Sequence, residues 1–95
     1  MAQVTWTEQA LDDLEAICNF IARDAPRYAE LFAERLFQAT DRLANFPASG
    51  RIVPEVGRNN IREVILQGYR VIYHIQGDEV EVLTIHHGAR LLRGF

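Results

Sequence analysis

The sequence predicts an α+β fold: a short N-terminal strand and a helical hairpin packed on a twisted antiparallel sheet, in the order β-α-α-β-β-β. Three observations carry this. Two stretches repeat apolar residues at three- and four-residue spacing, the period of an amphipathic helix. From Ile61 onward, IREVILQGYRVIYHIQGDEVEVLTIHHGAR instead shows Val-, Ile- and Tyr-rich runs with strand alternation. Gln67-Gly68 and Gly77-Asp78 separate those runs, and both are two-residue turns suited to hairpins.

Ala2 to Trp6 reads as the first strand, closed by Thr7 as an N-cap with Glu8 in the first turn. Leu11, Leu14, Ile17, Cys18 and Ile21 then form one apolar stripe on a helix ending near Arg23. Asp12 and Asp13 lie off it, about 100° apart as helical neighbours, and read as a solvated face. Pro26 opens a second helix, with Asp24 or Ala25 capping; Phe32, Leu36, Ala39, Leu43 and Phe46 mark its apolar side. The near-direct join makes an antiparallel helical hairpin. Residues 51–60 read as a loop, in which Arg51 and Arg58 are contacts or solubilising groups.

With 95 residues, 48% hydrophobic and 24% charged, the chain is expected to form a single domain over residues 1–95 with one core. The lone Cys18 fits a reducing compartment, and no apolar run approaches the roughly 20 residues of a membrane span, so a cytoplasmic, unprocessed protein is expected. The net charge of -3 divides unevenly: four arginines face eight acids in residues 1–48, six face five in residues 49–95, giving -4 and +1. That balance excludes a general nucleic-acid binder, and no sequence-specific DNA binding by this chain alone is expected. All ten basic residues are arginine, which rules out lysine chemistry.

Two-residue turns set a strand register on paper. Gln76 then faces Glu79, His74 faces Glu81, Ile72 faces Leu83 and Arg70 faces Ile85; on the other hairpin Leu66 faces Tyr69, Ile65 faces Arg70 and Glu63 faces Ile72. One side collects Val64, Leu66, Tyr69, Val71, Tyr73, Ile75, Val80, Val82 and Thr84, with Arg62 and His86 as its polar members, and reads as the core face. Arg62 there is expected to bond a helix acid. The opposite side mixes Ile61, Glu63, Ile65, Arg70, Ile72, His74, Glu81, Leu83, Ile85 and His87, too apolar for solvent and too charged for a core. Such a patch reads as an interaction surface.

Most chemical motifs are absent. His86 and His87 are strand neighbours on opposite faces, and His74 with Glu81 supplies only two ligands, so no metal site and no cofactor are expected. Ser49 lacks the turn of a serine nucleophile, Cys18 sits in a helix stripe, and no phosphate-cradling glycine loop exists. One cluster remains: Arg70, Glu63, His87 and, just beyond the strand, Arg90. Arginine with histidine can hold a phosphodiester and move a proton. Equally, Glu63 and Arg70 can form an ion pair with His87 at the strand end.

Across almost its whole length the chain resembles the RelE/ParE superfamily of toxins from type II toxin–antitoxin modules. The resemblance lies in Trp6-Thr7 with Ala10 and Leu14, Phe20-Ile21-Ala22, Pro26, Phe46-Pro47-Ala48-Ser49-Gly50-Arg51, Ile61-Arg62-Glu63, Gly68-Tyr69-Arg70-Val71-Ile72-Tyr73 and Ile85-His86-His87-Gly88-Ala89-Arg90. It implies the same fold and two alternative activities. RelE-like members cut messenger RNA on the ribosome with basic residues on the sheet; ParE-like members inhibit DNA gyrase. Arg70 and Arg90 match the arginines of the ribonuclease pattern. Its lysine positions are Ile61 and Glu63 here, and no tyrosine follows Arg90. An anion at Glu63, about 4 Å from a scissile phosphate, opposes binding by roughly 1 to 4 kcal/mol.

The resemblance therefore implies a ParE-like, plasmid-stabilisation-type toxin, not itself an enzyme, acting on gyrase through Arg70, His87, Arg90 and Glu63. The alternative is a ribosome-dependent endoribonuclease using Arg70, His87 and Arg90, with His86 as a further acid–base candidate. A third reading is a protein-binding module without toxicity. All three imply a protein partner; the family's is a ParD- or RelB-like antitoxin, expected on Ile65, Ile72, Leu83 and Ile85.

Overall fold

The computed structural model describes residues 1–88. Strand β1 (Gln3–Trp6) leads through Thr7 into helix α1 (Glu8–Ala22), and helix α2 (Pro26–Asp41) follows after a short break. Single 3-10 turns at Arg42–Ala44 and Pro47–Ser49 bring the chain to β2 (Arg51–Ile52), β3 (Ile61–Leu66), β4 (Tyr69–Gln76) and β5 (Glu79–His87). The helical hairpin packs on one face of a five-stranded sheet ordered β1-β5-β4-β3-β2.

The expected layering holds, with two changes to the sheet. It is mixed, because β1 joins β5 in parallel, Gln3 beside Glu79 and Trp6 beside Val82. Arg51 and Ile52, expected in a loop, add a short antiparallel edge to β3. Both additions need partners far along the chain, so local alternation does not announce them.

Local chemistry explains the elements. Thr7 Oγ1 accepts from Ala10 N as the N-cap of α1 and donates to Leu83 O at 2.8 Å, fastening the helix start to β5. Ala25 is the N-cap of α2, without a side-chain bond, and Pro26 begins the helix. Gln67 and Gly68 both have positive φ (49° and 85°), as a twist-matched hairpin turn requires.

Leu14, Ile17, Cys18 and Ile21 of α1 join Phe32, Leu36, Val71, Val82 and Ile85 in the helix-side core. Burial there raises the Cys18 thiol pKa, which keeps it protonated and unreactive. Leu11 and Phe46, expected in the stripes, are exposed, and Ala10 takes the buried position beside Thr7. Tyr73 closes the far end of the core with Leu43 and Val80. Its hydroxyl donates to Pro47 O at 2.6 Å and accepts from Gly50 N at 3.0 Å. A Cβ at Gly50 would lie 2.6 Å from both Glu63 O and Tyr73 Oη, so only glycine fits. The Phe46–Arg51 stretch is thus a structural clasp.

Three readings of the sheet are corrected. A bulge leaves Leu83 extra between Tyr73–Val82 and Ile72–Thr84, so Ile72 does not face Leu83, and Arg70 faces His86 rather than Ile85. Beyond the bulge Ile85 lies in the helix-side core, and His87 faces Tyr69. Asp13 is not a solvated acid: its carboxylate accepts from Gln9 Nε2 at 2.8 Å, Ile85 N at 3.0 Å and the Thr84 hydroxyl. β1 has ended by this level, so Thr7 and Asp13 satisfy main-chain groups of β5 that no strand reaches. Finally, Arg62 bonds no helix acid; it donates to the carbonyls of Ala48, Gly50 and Asn59 and to the Asn59 side chain.

Among the described residues no helix is long and apolar enough to cross a membrane.

Candidate functional site

The outer sheet face, away from the helices, was expected to lie open, and it does not. Val53 is fully buried against Ile61 and Ile72, with Val56 and Leu83 packed around them. Residues 53–60 therefore cover the middle of this face. Val53 N donates to Ile61 O at 3.1 Å, and Val56 N and Gly57 N both turn back to Val53 O. Of the four aliphatic residues expected to meet an antitoxin, Ile72 is covered by this loop, Leu83 is partly covered and Ile85 faces the helices. Ile65 alone stays open, at 52% exposure. The reason is the loop together with the bulge, neither visible in strand alternation.

Beside this cover lies an ionic network that sequence reasoning saw only in part. Glu63 on β3 and Arg70 on β4 are both buried. Arg70 Nε donates to Glu63 Oε1 at 2.6 Å, and Arg51 Nε donates to Glu63 Oε2 at 2.5 Å. The terminal nitrogens of Arg70 take Glu55 as a bidentate pair, NH1 to Oε2 at 2.6 Å and NH2 to Oε1 at 2.7 Å. Bonding to Glu55 and then Glu63 pushes the Arg70 pKa above the usual arginine value despite burial. The Glu63–Arg70 ion pair foreseen on diagonal positions is present. Glu55 was missed, because nothing in a loop with no periodicity signals a partner 15 positions along the chain.

A cavity of about 560 Å³ borders the network, lined by Arg51, Glu55, Ile65, Gly68, Arg70 and His87. The structure thus brings Arg70, Glu63, His87 and Ile65 to one end of the sheet. His87 stands edge-on to Tyr69, ring centroids 5.3 Å apart, and His86 sits opposite Arg70 in the strand pairing. Among the described residues the His86 Nε2 is the one buried side-chain polar atom without a hydrogen-bond partner. His86 and His87 also line a second cavity of about 540 Å³, closed on its other side by Gln9, Asp13, Ile17 and Phe20 of α1. Arg90, the remaining candidate, lies outside the described residues. His74 is held at 3.1 Å from the Asn60 side-chain amide, away from this end. Among the described residues no three His, Cys, Asp or Glu side chains are placed to hold a metal ion.

Chemically, a guanidinium gripped by two carboxylates has none of its three nitrogens left facing solvent alone. The arrangement as it stands binds the protein to itself.

Comparison with known proteins gives a consistent picture. The model of the family described as the ParE toxin of the type II toxin–antitoxin system parDE matches residues 4–92. Toxin RelE2 of Caulobacter vibrioides is 39% identical over 92 residues, covering 96% of this chain and 100% of the relative. The putative toxin Y4kP of Sinorhizobium fredii is 39% identical over 88 residues, covering 90% of this chain and 86% of its own length. Among solved structures, the chromosomal ParDE toxin–antitoxin system of P. aeruginosa superposes with a TM-score of 0.76 at 21% identity, covering 92% of this chain and 96% of that one. The RelBE2 toxin–antitoxin complex of Mycobacterium tuberculosis gives 0.61 at 22% identity, with 94% and 93% covered. At such identities the structures speak for the fold.

Proposed function

The chain belongs to the ParE toxin family of type II toxin–antitoxin systems, within the RelE/ParE superfamily, and on that premise we propose that it arrests growth by binding DNA gyrase and cuts no RNA. One observation carries this reading. Arg70, the arginine a ribonuclease of this superfamily would aim at the scissile phosphate, gives Nε to Glu63 and both terminal nitrogens to Glu55. A phosphodiester would have to displace a bidentate pair whose guanidinium is already buried, and would meet the Glu63 charge behind it.

The toxin is neutralised by a cognate ParD- or RelB-like antitoxin. Support for a protein partner comes from large apolar side chains left on the surface: Phe20 (64%), Tyr28 (68%), Phe46 (62%) and Ile65 (52%). Of the four aliphatic residues, Ile65 alone is carried into this proposal as an antitoxin contact, because Ile72 and Ile85 are buried and Leu83 is partly covered.

The second reading, a ribosome-dependent endoribonuclease, is favoured by a different observation. His86 and His87 converge with Arg70 on the same sheet end, and a histidine is the side chain suited to proton transfer at neutral pH. Induced expression without antitoxin separates the two. Early loss of DNA replication, with purified chain blocking gyrase supercoiling, is the expected outcome. Immediate loss of translation while supercoiling is unaffected would sink the gyrase reading and return Arg70, His86, His87 and Arg90 to a catalytic role.

A further inference from the structure

The sheet guards most of its edge and leaves one stretch open. β5 runs past the end of β1, and there Thr7 and Asp13 satisfy its main chain. β2 is only two residues long, carries Arg51 and is followed closely by Pro54. β1, the outermost strand at the other end of the sheet, has no such protection: Gln3-Val4-Thr5-Trp6 contains no charge, no proline and no bulge. Gln3 N donates to Asp78 O at 2.8 Å and Thr7 N to Val82 O at 3.0 Å, so alternation turns the main-chain groups of Val4 and Trp6 away from β5. Among the described residues nothing bonds them. Beside this edge Phe37 is 43% exposed, its ring centroid 5.4 Å from that of Trp6.

These groups fit a second copy of the same strand. Ala2 N is already committed to Ala44 O at 2.8 Å, which removes the register that pairs Ala2 with Trp6. The antiparallel register that uses only free groups sets Val4 against the partner's Trp6, and Trp6 against the partner's Val4, with Thr5 on the two-fold axis. Each strand then gives two N–H donors and receives two in return, which closes a self-complementary interface. Val4 and Trp6 both pack on the helix side, so each cross-strand pair joins an aromatic to a β-branched side chain, a stabilising combination. Charge favours the copy as occupant: each chain carries -3 overall, and the neutral Gln3–Trp6 strand sets no charged side chain of one copy against its twin. We propose that the free edge of β1 is a homodimer interface, in which two copies pair antiparallel through Val4 and Trp6 and merge their five-stranded sheets into one. The inference holds whichever cellular target the toxin has.

The test follows the full chain by sedimentation over a concentration series, with amide hydrogen exchange on the same samples. A dimer is expected to form as concentration rises, and the Val4 and Trp6 amides to exchange more slowly with it, while Ala2, already bonded, is unchanged. Thr5 lies beside Glu81 with its own N–H turned into the sheet, so Thr5→Lys leaves the chain its internal bonds and sets two cations opposite each other across the axis. It is expected to raise the dimer dissociation constant at least about tenfold. Mixing Thr5→Lys with Thr5→Glu is expected to restore pairing. Val4→Pro deletes a donor that no group in the described chain uses, and keeps the test valid should Thr5→Lys fold poorly. A chain that stays monomeric throughout, or a dimer that Thr5→Lys and Val4→Pro leave intact, overturns the proposal. Slowing of Val4 and Trp6 only when antitoxin is added overturns it in favour of an antitoxin strand on this edge.

Discussion

The two faces of the sheet are closed by different physics. On the helix side Phe32, Leu36, Val71, Val82 and Ile85 form a dry core that two helices cover. On the outer side a few loop residues cover Ile61 and Ile72, the adjoining end is closed by Arg51, Glu63, Arg70 and Glu55, and Ile65 stays open. Apolar burial is non-directional and tolerates adjustment, whereas a buried charge network depends on every partner being in place. The outer face is therefore the more fragile closure and the more specific one.

The sharpest way to break the contrast is to leave a charge behind. Glu63→Ala leaves the buried Arg70 Nε without an acceptor, with only Glu55 still paired to the guanidinium, and is expected to cost about 3 kcal/mol in denaturant unfolding. Leu36→Ala, on the helix side, is expected to cost about 2 to 5 kcal/mol as a cavity. The two differ in rescue: Glu63→Leu combined with Arg70→Met should regain part of the first loss, because it removes the two buried charges, while Glu55 and Arg51 lose a partner but stay in reach of water. A double substitution as unstable as Glu63→Ala would show that the network contributes more than its own balance.

A smaller effect is expected where the faces meet. Gly50→Ala forces a methyl against Glu63 O and Tyr73 Oη and is expected to cost about 1 to 3 kcal/mol, seen as a lower thermal midpoint. Tyr73→Phe leaves Gly50 N and Pro47 O without their partner, for a loss of about 1 to 3 kcal/mol. Burial raises the Tyr73 pKa above its ordinary value of about 10.0. With the folded value above the unfolded one, its contribution is complete below that pH and is lost as pH rises through the folded value. Stability of the wild type should thus fall on the alkaline side, and Tyr73→Phe should flatten that limb; an unchanged limb would mean the phenol is not buried as seen.

The smallest stability effect belongs to Ile65. Ile65→Ala should stay within about 0.5 kcal/mol in unfolding while lowering antitoxin affinity by about 1 to 3 kcal/mol in a calorimetric titration. Equal losses in both measurements would place Ile65 in the core after all.

What was legible in the residues is instructive. Gly68 and Gly77 at positive φ, Thr7 at the start of α1 and Pro26 at the start of α2 are local signals, and the hairpins and helical hairpin they predict are present. So is the Glu63–Arg70 pair, since its two positions lie diagonally across one hairpin. Asp13 misled because its oxygens serve Thr84 and Ile85, 71 and 72 positions away. Glu55 left no signal at all, because a loop residue's partner depends on where the loop lands.

The sequence by itself determined the order of the two helices and of the strands other than β2, the two hairpins, most of each helix stripe and, through the resemblance of its motifs, the toxin family. These rest on interactions between residues close along the chain or on patterns with a fixed period. Only the tertiary structure decided that β1 pairs in parallel with β5, that Leu83 bulges and turns Ile85 inward, and that Glu55 takes the fork of Arg70. Each of these depends on which distant group arrives to satisfy a buried donor or acceptor, and that is settled by the packed chain as a whole.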